Sequence, residues 1–310
     1  MFGVRDFVRS SWVSRLVRSV ADTNARLQRL QVAIGRVELA IRSRNAKAFV
    51  DHEVSVFSQW GEDGLIAHLV DRVPIERPWF IEFGVENYRE ANTRFLLVSR
   101  NWRGLVLDGS EQHIATIRED DISWRHELDA KCAFITRENI NQLLSDSGYS
   151  GDIGLLSVDI DGNDYWVWEA IDVVSPRIVV AEYNSLFGPD AAVTVPYDAA
   201  FVRSRKHHSN LYYGASITAL AKLADRKGYD LVGGNSAGNN VFFVRRDVRG
   251  TIPTMSPRDA YRKARFREAR DERGALTFAD FARRVQTIEH LVVDNVATGQ
   301  QVPIARLGVS

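Results

Sequence analysis

Between Trp79 and Arg246 the chain alternates short apolar segments with amphipathic ones, and that alternation restricts the fold more than any other feature. The apolar segments are WFIEFGV (79–85), RGLVLDG (103–109), CAFIT (132–136), IGLLSVDI (153–160), RIVVAEYN (177–184), YDLVGGN (229–235) and NVFFVRR (240–246). Each has the length of a strand. The first five are separated by stretches long enough for crossover helices, which predicts an α/β fold with a mostly parallel sheet. The linker around Ser236–Gly238 is too short for a crossover, so the last two segments form an antiparallel hairpin. With 310 residues, 45% of them apolar, the chain can bury a sizeable core.

Three acids crowd the end of the fourth segment. In LLSVDIDGNDYWVWEAID (155–172), Asp159, Asp161 and Asp164 follow an apolar strand within six positions. A calcium loop of the EF-hand type needs Gly sixth and Glu twelfth. Counting from Asp159, those places hold Asp164 and Ala170, which excludes it. Capping of the following helix, 165–171, accounts for one acid or two. A ligand site at the carboxyl end of a parallel strand accounts for all three. Asp159 and Asp161 are two apart, so on an extended chain they face the same way. Glu182 and Asn184 repeat that spacing on the fifth segment. Together Asp159, Asp161, Glu182 and Asn184 make a hard oxygen set suited to Mg²⁺. The metal-free alternative makes Asp159 or Asp161 the general base, with the other carboxylate raising its pKa. His207 and His208, in RKHHSNLYYGAS, are candidate bases if their loop reaches the site, although adjacent histidines in a charged loop commonly face solvent.

Five strands followed by a hairpin that carries a final antiparallel strand is the layout of class I S-adenosylmethionine methyltransferases. The blocks SVFSQWGEDGLIAHLV, FIEFGVENYREANTRFLL, NWRGLVLDGS, LLSVDIDGNDYWVWEAI, VVAEYNS and YYGASITALAKLADRKGYDLVGGNSAGNNVFFVR resemble, in order, the FkbM-like branch of that superfamily. The resemblance covers about residues 55–247. It implies a Rossmann-like sheet, S-adenosylmethionine as cofactor, and a sugar hydroxyl of a glycan or glycosylated metabolite as acceptor, with Mg²⁺ assistance in some O-methyltransferases. On the matching positions, Glu82, Gly84 and Glu86 follow the first strand, and Asp108, Gly109 and Ser110 follow the second. An acid at the second position takes ribose hydroxyls in this architecture. An Asp-Gly pair also starts turns, so Asp108 has a structural alternative. A single glycine after the first strand fits a cofactor without a pyrophosphate, and neighbouring acids suit a sulfonium cation. Gln59 and Asp159 complete the cofactor set. Glu62 and Asp63 in the same early segment equally well open a helix by complementing its dipole.

The two ends have their own character. The net charge is zero, yet residues 1–50 hold ten Lys or Arg against three acids, leaving the remainder acidic. Within that arm Val13, Leu16, Val20, Leu27, Leu30, Ile34, Val37 and Ile41 keep a 3,4 spacing interrupted by Thr23, which predicts a coiled-coil helix and a homo-oligomer. Packing on the domain is the alternative. Phe2, Phe7 and Trp12 beside arginines also allow peripheral membrane contact. Residues 256–284 read as charged, solvated helices, and HLVVDNVATGQQVPIA as a hairpin; both belong to an extension that could serve assembly. The expected organisation is 1–50 helix, 51–250 methyltransferase domain, 251–310 helical and hairpin extension. One cysteine, no signal-peptide core and no long uncharged apolar run point to a cytoplasmic protein. Nothing resembles a nucleic-acid module, and the acidic domain would repel phosphate. A non-catalytic oligomeric scaffold, or a metal-dependent sugar-modifying enzyme of another class, would also fit such a chain.

Overall fold

The computed structural model describes residues 4–309. The strands are β1 (Trp79–Phe83), β2 (Arg103–Asp108), β3 (Leu128–Cys132), β4 (Gly151–Val158), β5 (Val174–Glu182), β6 (Val193–Thr194), β7 (Tyr229–Gly234), β8 (Asn240–Arg245), β9 (Val292–Asn295) and β10 (Gln300–Pro303). Seven of them form one sheet in the order β3-β2-β1-β4-β5-β8-β7. The pairings are parallel from β3 to β5, and β8 runs antiparallel to both β5 and β7. This is a mostly parallel, Rossmann-like sheet, with its reversed strand inserted next to β5. The third strand differs from the segment expected for it: β3 ends at Cys132, and CAFIT continues past the sheet edge as loop. Leu128 and Ala130 lean on the core, whereas Phe134 is exposed, so burial rather than hydrophobicity set the register.

Alternating side chains along the central strands feed two core layers. Leu156, Val179 and Ala181 join one cluster, and Leu155, Ile178 and Val180 the other. Helices close both faces: α2 (Glu62–Val70), α3 (Arg94–Arg100), α4 (Glu111–Glu119), α5 (Ile122–Arg125), α6 (Ile140–Asp146), α7 (Asp164–Ala170), α8 (Arg203–Lys206) and α9 (Ile217–Arg226). The C-terminal part contributes α10 (Pro257–Ala260) and α11 (Phe281–Ile288). Between these two the chain is irregular, whereas the sequence pattern predicts charged helices over 256–284. The terminal hairpin forms as expected, and β9 also pairs with β6, giving a second sheet in the order β10-β9-β6. Its apolar face packs with Leu186, Phe187, Phe201 and Leu211. The extension therefore folds onto the insertion that follows β5.

The N-terminal helix α1 (Val4–Asn45) uses one face on the domain and leaves another free. Val32 and the partly buried Leu39 join Val54, Val56, Phe57 and Phe95 in a small cluster, and Gly35 sits against Val56. The residues with 3,4 spacing point elsewhere: Leu27, Leu30, Ile34 and Val37 are all more than half exposed, at 57–65%. Packing on the domain thus belongs to a different stripe from the one the heptad pattern picks out. Phe2 and the Phe7 side chain lie outside the described residues, and Trp12 is exposed. No described helix is long and apolar enough to cross a membrane.

Candidate active site

A cavity of about 860 Å³ opens at the carboxyl ends of β1, β2, β4 and β5. It is where an open α/β sheet places its ligand, because the strand order reverses direction there and leaves a crevice. Gln59, Glu82, Gly84, Glu86, Asp108, Gly109 and Ser110 all line it, as do Asp159, Asp161 and Glu182. The cavity therefore unites residues that the sequence scatters over more than a hundred positions.

On the β1–β2 side the polar groups are fixed by backbone. Asp108 Oδ2 accepts from Glu86 N–H at 2.8 Å, and Oδ1 accepts from Ser110 N–H at 2.8 Å. Oδ1 also contacts His113 Nδ1 at 3.2 Å, whereas Oδ2 keeps a lone pair for another donor. Gly84 takes φ +70°, and a Cβ there would meet Asp159 O at 1.7 Å, so only glycine lets the β1 turn lie against the end of β4. Glu82 is buried, and its carboxylate accepts from the N–H groups of Asn92 (2.8 Å) and Thr93 (3.0 Å) and from the Thr93 hydroxyl. Burial nevertheless pushes its pKa up to about 7, the hydrogen bonds only partly opposing it. From the segment before α2, Gln59, Trp60 and Glu62 reach the cavity. Glu62 is held by Asn235 and Asn240 through Oε1 and by Trp60 N–H through Oε2. Asp63 is structural: one oxygen accepts three backbone N–H groups, from Val56, Phe57 and Ser58.

On the β4–β5 side the acids divide into two kinds. Asp164 is the turn residue, with its carboxylate oxygens accepting from Ile160 N–H and Gly162 N–H at 2.8 Å each. Asp159, Asp161 and Glu182 can each present an oxygen within 4.8 Å of the others. Their meeting does not come from strand alternation as expected, since β4 ends at Val158 and Asp161 adopts φ +57°. The turn folds the second acid back. Burial, and then the neighbouring acids, hold Asp159 and Glu182 well above the usual carboxylate range. Glu182 Oε2 is buried without a hydrogen-bond partner. Arg203 from α8 donates to Asp161 and lies over the Tyr213 ring at 3.9 Å.

Three expected residues stand apart. Asn184 is buried and fully employed: its side-chain N–H₂ donates to Leu211 O and Tyr213 O, and its oxygen accepts from Leu186 N–H. It does not line the cavity, and these bonds make it a residue that shapes the loop after β5. His207 and His208 do not line the cavity; their rings pack against each other at 4.3 Å, and His207 Nδ1 contacts Ser209 Oγ at 2.7 Å. The aromatic residues of α7 are likewise structural, with Tyr165 and Trp168 in the core and Trp166 donating to Val195 O. Asn235 organises the β7–β8 turn, its oxygen accepting from Gly238, Asn239 and Asn240. Conversely, Trp60, Asn92, Phe134, Arg203, Phe266 and Glu268 line the cavity without having been picked out. Trp60 and Phe134 adjoin motifs already noted. The other four carry no local pattern.

No family model and no curated protein matches this sequence. Solved structures with partial similarity include the O-methyltransferase from Bacillus cereus in complex with SAH, at 12% identity over 69% of this chain and 88% of that one, TM-score 0.38. PKMT2 from Rickettsia typhi in complex with AdoHcy aligns at 9% identity over 64% of this chain and 55% of that one, TM-score 0.41. The CurJ carbon methyltransferase aligns at 11% identity over 59% of this chain, TM-score 0.40, and the match spans 52% of the CurJ chain.

Proposed function

We propose that the protein is an S-adenosylmethionine-dependent O-methyltransferase acting on a sugar hydroxyl, with Mg²⁺ as an optional aid. The observation that carries the reading is the Asp108 carboxylate, held at the end of β2 by two backbone N–H groups, with a lone pair left on Oδ2 and Oδ1 shared with the His113 ring. A vicinal diol such as ribose needs two acceptors a short distance apart: one hydroxyl would take the open position on Oδ2, and the other would replace the partly exposed His113 ring on Oδ1. The cavity volume lies within the range usual for small-molecule sites, and its acidic rim favours a cation.

Bound there, S-adenosylmethionine supplies an electrophilic methyl carbon attached to a sulfonium. The chain's own residues must orient an acceptor hydroxyl and remove its proton. Asp159 suits the second task, because burial and nearby acids raise its proton affinity. Arg203 keeps Asp161 paired and limits the repulsion around that base. A divalent ion also fits: the donors are all hard oxygens, and Glu182 Oε2 lacks a partner. Asp159, Asp161 and Glu182 would hold it, and it would lower the acidity barrier of a bound hydroxyl.

Assembly through α1 belongs to the same proposal, with a second copy of this chain as the occupant of the exposed seam. From Val20 to Ile41 the exposed large apolar residues keep to the a and d positions of a heptad, the width of a coiled-coil seam and narrower than an interfacial membrane helix requires. Of the flanking e and g residues between Trp12 and Ile41, only Arg26 and Glu38 are charged, with opposite signs, so like-charge repulsion does not oppose pairing.

Calorimetric titration of S-adenosylhomocysteine into the wild type and Asp108→Ala tests the cofactor assignment. Loss of two charge-assisted hydrogen bonds should weaken binding by about 100-fold or more. Equal binding by the two proteins, or none by the wild type, would refute it.

A further inference from the structure

We propose that residues 261–269 of the C-terminal extension form the acceptor-binding wall of the cavity, with Phe266 and Trp60 as a stacking platform for a polyhydroxylated ring and Glu268 as its hydrogen-bonding partner. This rests on the reading of the cavity as a methyl-transfer site and adds what the acceptor meets there.

The segment is irregular, yet it is fastened along its length. Tyr183 Oη donates to Arg262 O at 2.9 Å and accepts from Arg262 N–H at 3.0 Å. Ala264 N–H donates to Ser185 Oγ at 3.0 Å, and Arg265 N–H to Ala237 O at 2.9 Å. Arg284, a buried side chain of α11, donates to the carbonyls of Phe266 (2.8 Å) and Ala264 (3.1 Å). A buried guanidinium committed to main-chain carbonyls of another segment fixes that segment's path. Its path turns Phe266 and Glu268 into the cavity.

The chemistry on that wall is mixed. Phe266 stacks near Trp60, with ring centroids 6.4 Å apart and planes 25° from parallel. Both rings are only half-buried, so apolar surface remains for a ligand. Glu268 accepts from Asn210 at 3.2 Å and pairs with Arg203 at 3.5 Å, and Arg203 reaches Asp161. A relay of charged groups thus runs from the strap to the acids at the end of β4. Flat rings beside donors and acceptors suit the C–H face and hydroxyl edge of a pyranose. A purely aromatic acceptor would leave Glu268 and Arg203 without hydroxyl partners.

The test is ligand-observed saturation-transfer NMR on the full chain loaded with S-adenosylhomocysteine, using methyl pyranosides of glucose, galactose, mannose and rhamnose, and catechol as a flat aromatic diol. The expected result is transfer to at least one pyranoside, weakened roughly tenfold in Phe266→Ala, restored in Phe266→Tyr and reduced in Glu268→Gln. S-adenosylhomocysteine affinity should stay unchanged in all three, since the contacts of Phe266 and Glu268 do not include Asp108 or the groups that hold it, and circular dichroism should show each variant folded. Transfer to catechol alone, to no probe, or to a pyranoside equally well in Phe266→Ala would overturn the assignment. If S-adenosylhomocysteine itself does not bind, the methyl-transfer reading fails, and the same series on the unloaded protein still decides the strap: Phe266-dependent pyranoside binding supports it, and its absence refutes it.

Discussion

Replacing Glu182 with glutamine should stabilise the metal-free protein at alkaline pH, the reverse of what loss of a buried polar contact usually does. Asp159, Asp161 and Glu182 can bring oxygens within 4.8 Å of one another, and Glu182 Oε2 has no partner. At an effective dielectric constant of about 20, two unit charges at that separation repel by roughly 3 kcal/mol. Arg203 offsets part of this by its pairing with Asp161. The net gain from Glu182→Gln should therefore be on the order of 1–3 kcal/mol, a rise of several degrees in Tm. The pH dependence fixes the sign. Burial and the neighbouring acids raise the folded-state pKa of Glu182 above its unfolded value. Its neutral form is thus favoured in the fold, and that contribution is complete below the unfolded carboxyl range and lost as pH rises through the raised value. Denaturant unfolding in EDTA should accordingly show the variant's advantage at about pH 8 and little of it at about pH 5. Adding Mg²⁺ should stabilise the wild type and have much less effect on the variant. A variant no more stable than wild type at the higher pH would show that the three acids do not repel one another as their positions require.

Two further outcomes follow from the same geometry. Gly84→Ala should lower stability by about 3 kcal/mol or more, because φ +70° and a Cβ 1.7 Å from Asp159 O cannot both be relieved; Gly109→Ala, whose Cβ would meet only Phe134 at 3.8 Å, should stay within about 1 kcal/mol of wild type in the same unfolding assay. Light scattering after size exclusion should give an oligomer for the full chain and a monomer for Leu30→Glu/Ile34→Glu. Both side chains are exposed in the single chain, so the variant should keep its secondary structure; an unchanged mass would refute pairing through this seam.

The acids of the site were legible because they sit where local rules apply. A strand shows its end by the change from Leu-Leu-Ser-Val to polar residues, and in a parallel sheet that end faces the ligand edge. Asp159 follows from this reasoning alone, whereas Glu82 and Asp108 come from the positions that match the class I methyltransferase resemblance. Capping named no particular acid; in the fold Asp164 is the structural one, accepting from Ile160 and Gly162 N–H in the turn before α7. Spacing failed where the strand stopped short. Asp161 joins Asp159 through a left-handed turn, and Asn184, two residues beyond Glu182, spends its bonds on the 211–213 segment and on Leu186. Periodicity cannot foresee such a partner, because it describes a side chain's direction and not what lies in that direction.

From the sequence by itself come the strand–helix alternation, the reversed strand of the hairpin, the heptad seam on α1 and the acids at strand ends. All are encoded by residues within a few positions of one another, where backbone geometry fixes which side chains share a face. The tertiary structure alone decided that the helix meets the domain through Val32, Gly35 and Leu39 and leaves the seam exposed. It alone carried Phe266 to Trp60 and Glu268 to Arg203. Those contacts join segments far apart in the chain, and they arise from the docking of β9 on β6 and the hold of Arg284 on the strap. Long-range contacts of this kind depend on how whole elements fill space together, a property that no local pattern of residues records.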